Sequence, residues 1–157
     1  MPVKGDGTYG CVHSPSLKCE STKKIDYKNM VSKTLIEQEA DKELKELSLL
    51  KIIDKENKYY LGYPFKCKPQ DNKNTIKELK KCSNREKFLN YGNKKLRNET
   101  SLLIMKDGGV SLDDYIYTLS KNMVKANTQD NIEVMFINFM NVIRGVKFLV
   151  DNKLSHR

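Results

Sequence analysis

The chain has 157 residues, of which 38% are hydrophobic and 31% are charged, and its formal net charge is +9. This length and composition fit one folded domain and do not fit a disordered chain. No run approaches the roughly 20 apolar residues of a membrane span, and the N-terminus lacks a signal-peptide pattern. We therefore expect an intracellular protein with no membrane partner, and the positive charge favours an anionic partner such as a nucleotide or nucleic acid.

A glycine-rich turn is the first predicted element, at residues 5–12, where the sequence is G-D-G-T-Y-G-C-V. Glycines at this spacing let the backbone turn tightly and approach a phosphate, and the N–H groups of such a turn can point at an anion. The same letters also open a dinucleotide-binding βαβ unit, which needs a helix directly after the turn. Pro15 disfavours that helix, so we expect a strand there. An ordinary glycine-rich turn remains an alternative.

The four cysteines are Cys11, Cys19, Cys67 and Cys82, and none of them forms a C-x-x-C pair. We expect them to be reduced thiols, as in an intracellular protein. Cys11, His13 and Cys19 match no common spacing of zinc ligands, so no metal site is expected.

A lysine lies within the next apolar run, at residues 30–35, and a helix is predicted for residues 37–55 from apolar residues at steps of three and four. A half-buried Lys33 needs a partner, unless it lies on the solvent face of an edge strand. On the helical wheel, Glu43 falls near the middle of the apolar stripe and Glu46 on its flank. Periodicity alone allows either carboxylate to pair with Lys33.

The basic character of the chain belongs to residues 65–99, which hold 11 Lys or Arg against 4 Asp or Glu. A short strand is predicted just before them, at residues 59–61, and one helix within them, at residues 75–82. We interpret this segment as an insertion whose lysine-rich face is solvated. Nucleic acid is its less favoured partner.

A strand is predicted at residues 100–105, followed by the break K-D-G-G. Ser111 has Asp114 three residues later, which is the spacing of a capping box, so a helix is expected from there to residue 119. A long helix with a broad apolar face is predicted for residues 131–151. The sequence then ends in His156 and Arg157.

Five features in this order resemble the first part of a eukaryotic-type protein kinase, and the style is similar to the serine/threonine kinases of large DNA viruses. They are the G-x-G-x-x-G-x-V loop, V-x-K on a strand, the helix sequence E-L-S-L-L-K, the hinge-like break, and a long helix followed by H-R. The resemblance implies an α+β fold. A small lobe at residues 1–105, a twisted antiparallel sheet plus one helix, would carry the insertion at 65–99. A hinge at 106–110 and the start of a large lobe at 111–157, ending before the catalytic Asp, would follow.

The resemblance also implies an activity, the transfer of the γ-phosphoryl group of ATP to Ser or Thr of a protein substrate, with ATP and Mg²⁺ as cofactors. The family's catalytic Asp and Asn and its D-F-G metal ligand match no residue of this sequence. We therefore expect the fragment alone to be inactive, and the rest of the large lobe to come from a longer chain in the cytoplasm or nucleus of a host cell. The alternative is an inactive, pseudokinase-like nucleotide binder or a basic scaffold module.

By this resemblance Lys33 binds the α- and β-phosphates, and Glu46 holds Lys33 in place, because E-L-S-L-L-K repeats the family's pattern after its glutamate. Met105 would lie at the back of the adenine pocket, and the backbone of residues 106–108 would bind the adenine edge. The expected nucleotide-binding residues are Gly5, Asp6, Gly7, Thr8, Tyr9, Gly10, Cys11, Val12, Lys33, Met105, Lys106, Asp107 and Gly108.

Overall fold

A computed structural model describes residues 3–8, 10–21, 25–92, 94–123 and 128–154. Within these ranges the chain is α+β, with a five-stranded antiparallel sheet and four α-helices. The chain divides into two compact units, Met1–Asp107 and Gly108–Arg157. None of the described helices is both long enough and apolar enough to cross a membrane.

The sheet lies entirely in the first unit, and every pair of neighbouring strands is antiparallel. In the order β1-β2-β3-β5-β4, its strands are β1 (Val3–Asp6), β2 (Cys11–His13), β3 (Met30–Ile36), β5 (Thr100–Lys106) and β4 (Phe65–Cys67). Because β2 begins directly after Gly10, the predicted strand after the glycine turn is confirmed and a dinucleotide-binding βαβ unit is excluded.

The strand predicted at residues 59–61 is wrong. These residues form a loop whose N–H groups bind the buried carboxylate of Asp54, at 2.7 Å from Tyr59 N and 3.2 Å from Tyr60 N. Bonds of this kind offer the backbone an alternative to a sheet ladder. The strand that follows lies instead at β4, inside the segment interpreted as an insertion.

The four helices are α1 (Glu37–Ile53), α2 (Lys73–Leu79), α3 (Leu112–Met123) and α4 (Thr128–Asp151). The predicted capping box at the start of α3 is confirmed, since Asp114 N–H donates to Ser111 Oγ at 3.1 Å and Ser111 Oγ donates to Asp114 Oδ2 at 2.7 Å. α2 begins earlier than predicted because the side chain of Asn72 accepts the N–H of Thr75 at 2.8 Å and caps the helix there.

One face of the sheet packs against α1. Its small core consists of Leu35, Ala40 and Leu103, with Leu44 and Met105 beside them. Since side chains alternate across a strand, Leu35 and Lys33 of β3 share this face. The expected packing of one helix on an antiparallel sheet is therefore confirmed.

The opposite face of the sheet is covered by residues from the basic segment. Its buried core is larger and consists of Cys11, Leu17, Cys19, Leu79, Cys82, Phe88, Leu89, Leu102 and Ile104. The segment also contributes β4 to the sheet. The lysine-rich face expected for residues 65–99 is largely exposed, but the segment also contributes to the core, because its residues Leu79, Phe88 and Leu89 are buried.

Two disulfides join this segment to the rest of the first unit, Cys11–Cys82 and Cys19–Cys67. The expectation of four reduced thiols is therefore wrong for this structure. The partners are 71 and 48 residues apart in the sequence, so no local spacing could have indicated the pairing.

The second unit contains α3 and α4, and Asn138 Nδ2 of α4 donates to the hydroxyl of Tyr115 in α3 at 2.8 Å. The apolar pattern of α4 is only partly buried. Phe136, Phe139 and Val146 remain 62%, 52% and 55% exposed. The unit therefore presents an apolar surface on this helix.

Candidate functional site

The glycine-rich turn joins β1 to β2, and Gly7 N–H donates to the carbonyl of Gly10 at 3.0 Å across it. A Cβ at Gly10 would lie 2.8 Å from the carbonyl oxygen of Thr34 and 3.0 Å from Leu35 Cδ2, so this glycine is required by the close approach of β3. A Cβ at Gly7 would meet nothing within 4 Å. Gly7 therefore lies beside open space, where a ligand can approach the backbone.

The carbonyl groups of this turn bind the segment that follows α2. Asn84 Nδ2 donates to the carbonyl of Gly7 at 2.9 Å and to that of Thr8 at 3.3 Å. Lys87 Nζ also donates to the carbonyl of Thr8, at 2.8 Å. The basic segment thus holds the glycine turn from one side, a role that the sequence analysis missed.

The side chain of Asp6 also joins the glycine turn to the segment that follows α2. Its Oδ2 accepts the N–H of Ser83 at 2.6 Å, and hydrogen bonds from the side chain and backbone of Ser83 lower the pKa of Asp6 below its ordinary value. Asp6 therefore anchors the turn to the protein, and its carboxylate is directed at Ser83 rather than at a ligand.

Lys33 and Glu43 form the ion pair that joins the sheet to α1. Lys33 Nζ lies 2.6 Å from Glu43 Oε2, and the two side chains are 29% and 26% exposed. Val12 of β2 is the direct cross-strand partner of Lys33, so the two side chains lie on the same face of the sheet. The ammonium group therefore stands on the α1 face, one strand away from the glycine turn.

Glu46 is not the partner of Lys33, so this assignment was one turn of the helix off. Glu46 is exposed and forms no ion pair with any residue in the described ranges. Glu43 points at the sheet because it lies near the middle of the apolar stripe of α1, and its carboxylate is stabilised there by the lysine. The lysine does not lie on a solvent-facing edge strand, because β3 is the central strand of the sheet.

Cys11 does not share the face of Lys33. It pairs with Thr34 across the strands, and its side chain is buried in the disulfide on the opposite face. Its expected contact with a nucleotide can therefore involve only its backbone. Tyr9 lies outside the described residues, as do His156 and Arg157.

Lys106 and Asp107, the first two residues of the expected hinge, are already hydrogen-bonded within the first unit. Met105 packs against the α1-side core, and Lys106 is the last residue of β5, paired with Met30. The N–H of Asp107 donates to the carbonyl of Asn29 at 2.9 Å, and its carboxylate accepts from Lys4. The amide of Asp107 is therefore engaged inside the protein, and it can bind an adenine edge only if that bond opens. Gly108 begins the second unit.

A lysine-rich concavity of about 300 Å³ lies on the basic segment, away from Lys33. Four exposed lysines and Ile76 line it, and none of these lysines forms an ion pair with a residue in the part of the chain that the structure describes. We call this surface the basic face: Lys73, Lys77, Lys80 and Lys94.

No family model, curated protein or solved structure matches this chain. The resemblance to protein kinases therefore rests on the sequence motifs alone. The resemblance assigns no Mg²⁺ ligand to any residue of this sequence.

Proposed function

We propose that the first unit binds the phosphates of ATP, as the small lobe of a protein-kinase-like protein. The observation that carries this proposal is the Lys33–Glu43 ion pair between β3 and α1, next to a glycine-rich β-hairpin. Protein kinases use this combination, a lysine on the third strand paired with a glutamate on the following helix, beneath a glycine-rich loop. The activity of the whole protein would be transfer of a phosphoryl group to Ser or Thr of a protein substrate.

The residues of this chain would bind and orient the nucleotide. Lys33 would donate hydrogen bonds from its ammonium group to the α- and β-phosphate oxygens, and Glu43 would hold that ammonium in position. The absence of a side chain at Gly7 would let the backbone of the turn approach the phosphates. Bound ATP supplies the phosphoryl group, and no residue of this sequence is assigned as the base that accepts the substrate proton.

Nucleotide affinity of the full chain tests the proposal. Lys33→Met should weaken ATP binding by roughly tenfold or more, since a hydrogen bond to a charged group contributes about 1.5–3 kcal/mol. Lys66→Met is the matched control. Lys33 and Lys66 are both cross-strand partners of Leu103, and Lys66 also forms ion pairs with acidic residues of α1, Asp41 and Glu37.

Titration calorimetry measures the ATP affinity of both variants. Titration with buffer salts in place of ATP is the control for non-specific effects of charge. Unchanged affinity in Lys33→Met, or an equal loss in Lys66→Met, would contradict a specific phosphate site at Lys33.

The basic face supports a second candidate function, a scaffold that binds an anionic partner. Its four lysines line one concavity and form no ion pair among the residues that the structure describes, which leaves their positive charge available there. ATP binding that survives Lys33→Met but is lost when Lys73, Lys77 and Lys80 are changed to Gln would favour this function.

The intracellular location expected from the sequence remains a prediction. A reducing compartment would keep cysteines as thiols, whereas the structure has two disulfides. Trapping thiols by alkylation at the moment of cell lysis would report which form exists; fully oxidised cysteines would contradict a cytosolic location.

A further inference from the structure

The Cys11–Cys82 disulfide has a histidine beside it. Cys11 and His13 alternate on β2 and so point to the same face of the sheet, where Cys82 arrives from the turn after α2. His13 Nε2 lies 3.9 Å from Cys11 Sγ and 3.8 Å from Cys82 Sγ. All three side chains are at most 1% exposed, and their ligand atoms lie within 4.8 Å of one another.

The imidazole of His13 is poorly satisfied for a group so deeply buried. Its Nδ1 has no hydrogen-bond partner among the described residues, and its Nε2 lies 3.5 Å from the carbonyl oxygen of Glu78, at the limit of a hydrogen bond. Burial lowers the pKa of His13 below its ordinary value. A buried polar group with so few partners is costly, and packing against a disulfide does not require one.

We propose that reduction of the Cys11–Cys82 disulfide converts this cluster into a binding site for a thiophilic d¹⁰ cation, Zn²⁺ or Cu⁺. The two cysteine sulfurs and the imidazole nitrogen are the ligand types that such ions prefer. Three protein ligands suit a trigonal Cu⁺ site, or a Zn²⁺ site whose fourth ligand is water.

The chemistry has two steps. A dithiol reductant donates two electrons and two protons, so the S–S bond breaks, both cysteines become thiols, and the reductant becomes a disulfide. The cation then displaces both thiol protons to solvent and forms two metal–sulfur bonds and one bond to His13 Nε2.

The geometry of the oxidised protein already suits the second step at His13. With metal–sulfur bonds of about 2.3 Å and a metal–nitrogen bond of about 2.0 Å, a sulfur and a nitrogen on one metal lie roughly 3.5–3.7 Å apart. The observed distances of 3.8 and 3.9 Å from Nε2 are close to this value. Once the bond between them is broken, the sulfurs need to separate to roughly 3.8–4.0 Å, the spacing of two thiolates on one ion.

A metal ion at this site would also keep β2 joined to the segment after α2, a link that reduction of the disulfide would otherwise remove. Cys82 directly precedes Ser83 and Asn84, which hold Asp6 and Gly7 of the glycine turn. A bound ion would replace the covalent link between β2 and this segment. The Cys19–Cys67 disulfide belongs to no comparable cluster in the described ranges, so it provides an internal control.

The experiment uses the full chain, reduced with a phosphine under anaerobic conditions and titrated with Zn²⁺ in one arm and Cu⁺ in the other. Each arm measures stoichiometry against a chromophoric chelator and maps, by alkylation and mass spectrometry, which thiols the ion protects. We expect one ion per chain in at least one arm, with protection of Cys11 and Cys82 but not of Cys19 and Cys67. The arm that gives this pattern identifies the cation.

Two variants and one spectrum extend the test. His13→Gln should weaken affinity by on the order of 100-fold, since even an outer partner of a ligand contributes 10–100-fold. Cys19→Ser combined with Cys67→Ser should leave affinity unchanged. Co²⁺ added to the reduced wild-type protein should give thiolate charge-transfer absorption, which requires no variant to fold. Absence of uptake in both arms, equal protection of all four thiols, or full affinity in His13→Gln would overturn the proposal.

Discussion

Replacing Gly10 with Ala tests whether the glycine turn is fixed by its packing against β3. The new Cβ would lie 2.8 Å from the carbonyl oxygen of Thr34 and 3.0 and 3.3 Å from side-chain carbons of Leu35, which is only 1% exposed. Neither the central strand nor a buried leucine can move freely. Overpacking of this kind costs about 1–3 kcal/mol in the free energy of unfolding.

Gly7→Ala is the matched control, because its Cβ would meet nothing within 4 Å. Both substitutions reduce the entropy of the unfolded chain similarly, by about 0.4–1 kcal/mol, so this contribution cancels between them. The difference between the variants therefore isolates the contact with β3. For a unit of this size, about 1–3 kcal/mol corresponds to a difference in Tm of roughly 4–20 °C.

Urea and thermal denaturation, with the disulfides kept intact, measure this difference. We expect Gly10→Ala to be the less stable variant and Gly7→Ala to match or slightly exceed the wild type. Equal stability of the two variants would refute the close approach of the turn to β3.

Three further predictions concern the charges of the first unit. A double-mutant cycle on Lys33 and Glu43 should give a coupling of about 0.2–1 kcal/mol, as for partly exposed pairs, whereas a cycle with Glu46 should give none; equal couplings would contradict the pairing. Asp6 should titrate below its ordinary pKa, so its stabilisation is complete above about pH 3.9 and is lost as the pH falls through the lower, folded value. An NMR titration giving an ordinary pKa would show that the Ser83 contact is absent. The basic face should bind a random oligonucleotide negligibly at physiological salt; tight binding that declines steeply with salt would show that the surface serves nucleic acid.

For the partner of Lys33, the apolar pattern of α1 was a better guide than the sequence motif. The helical wheel placed Glu43 in the middle of the apolar stripe, which is the position that faces a sheet. The family's sequence pattern favoured Glu46, and the structure has Glu43. The stripe was the better guide because it reports which side of the helix packs, whereas a short motif can be matched one turn out of register.

The role of the basic segment could not be predicted in the same way. Its charge indicated a solvated surface, and its lysines are indeed exposed, but Leu79, Phe88 and Leu89 complete the core. These three apolar residues were the available signal, and the lysines between them concealed it. The pairing of Cys11 with Cys82 depends on a contact across 71 residues, which spacing does not encode.

Labelling with an acyl phosphate of ATP tests the central claim most directly. This probe transfers its acyl group to a lysine amine beside the bound phosphates, and mass spectrometry then identifies that lysine. The account predicts preferential labelling of Lys33, suppressed by excess ATP and reduced in Glu43→Gln, because Glu43 positions the amine. Labelling that ATP does not suppress, or that falls mainly on Lys73, Lys77 and Lys80, would contradict a nucleotide site at the glycine turn.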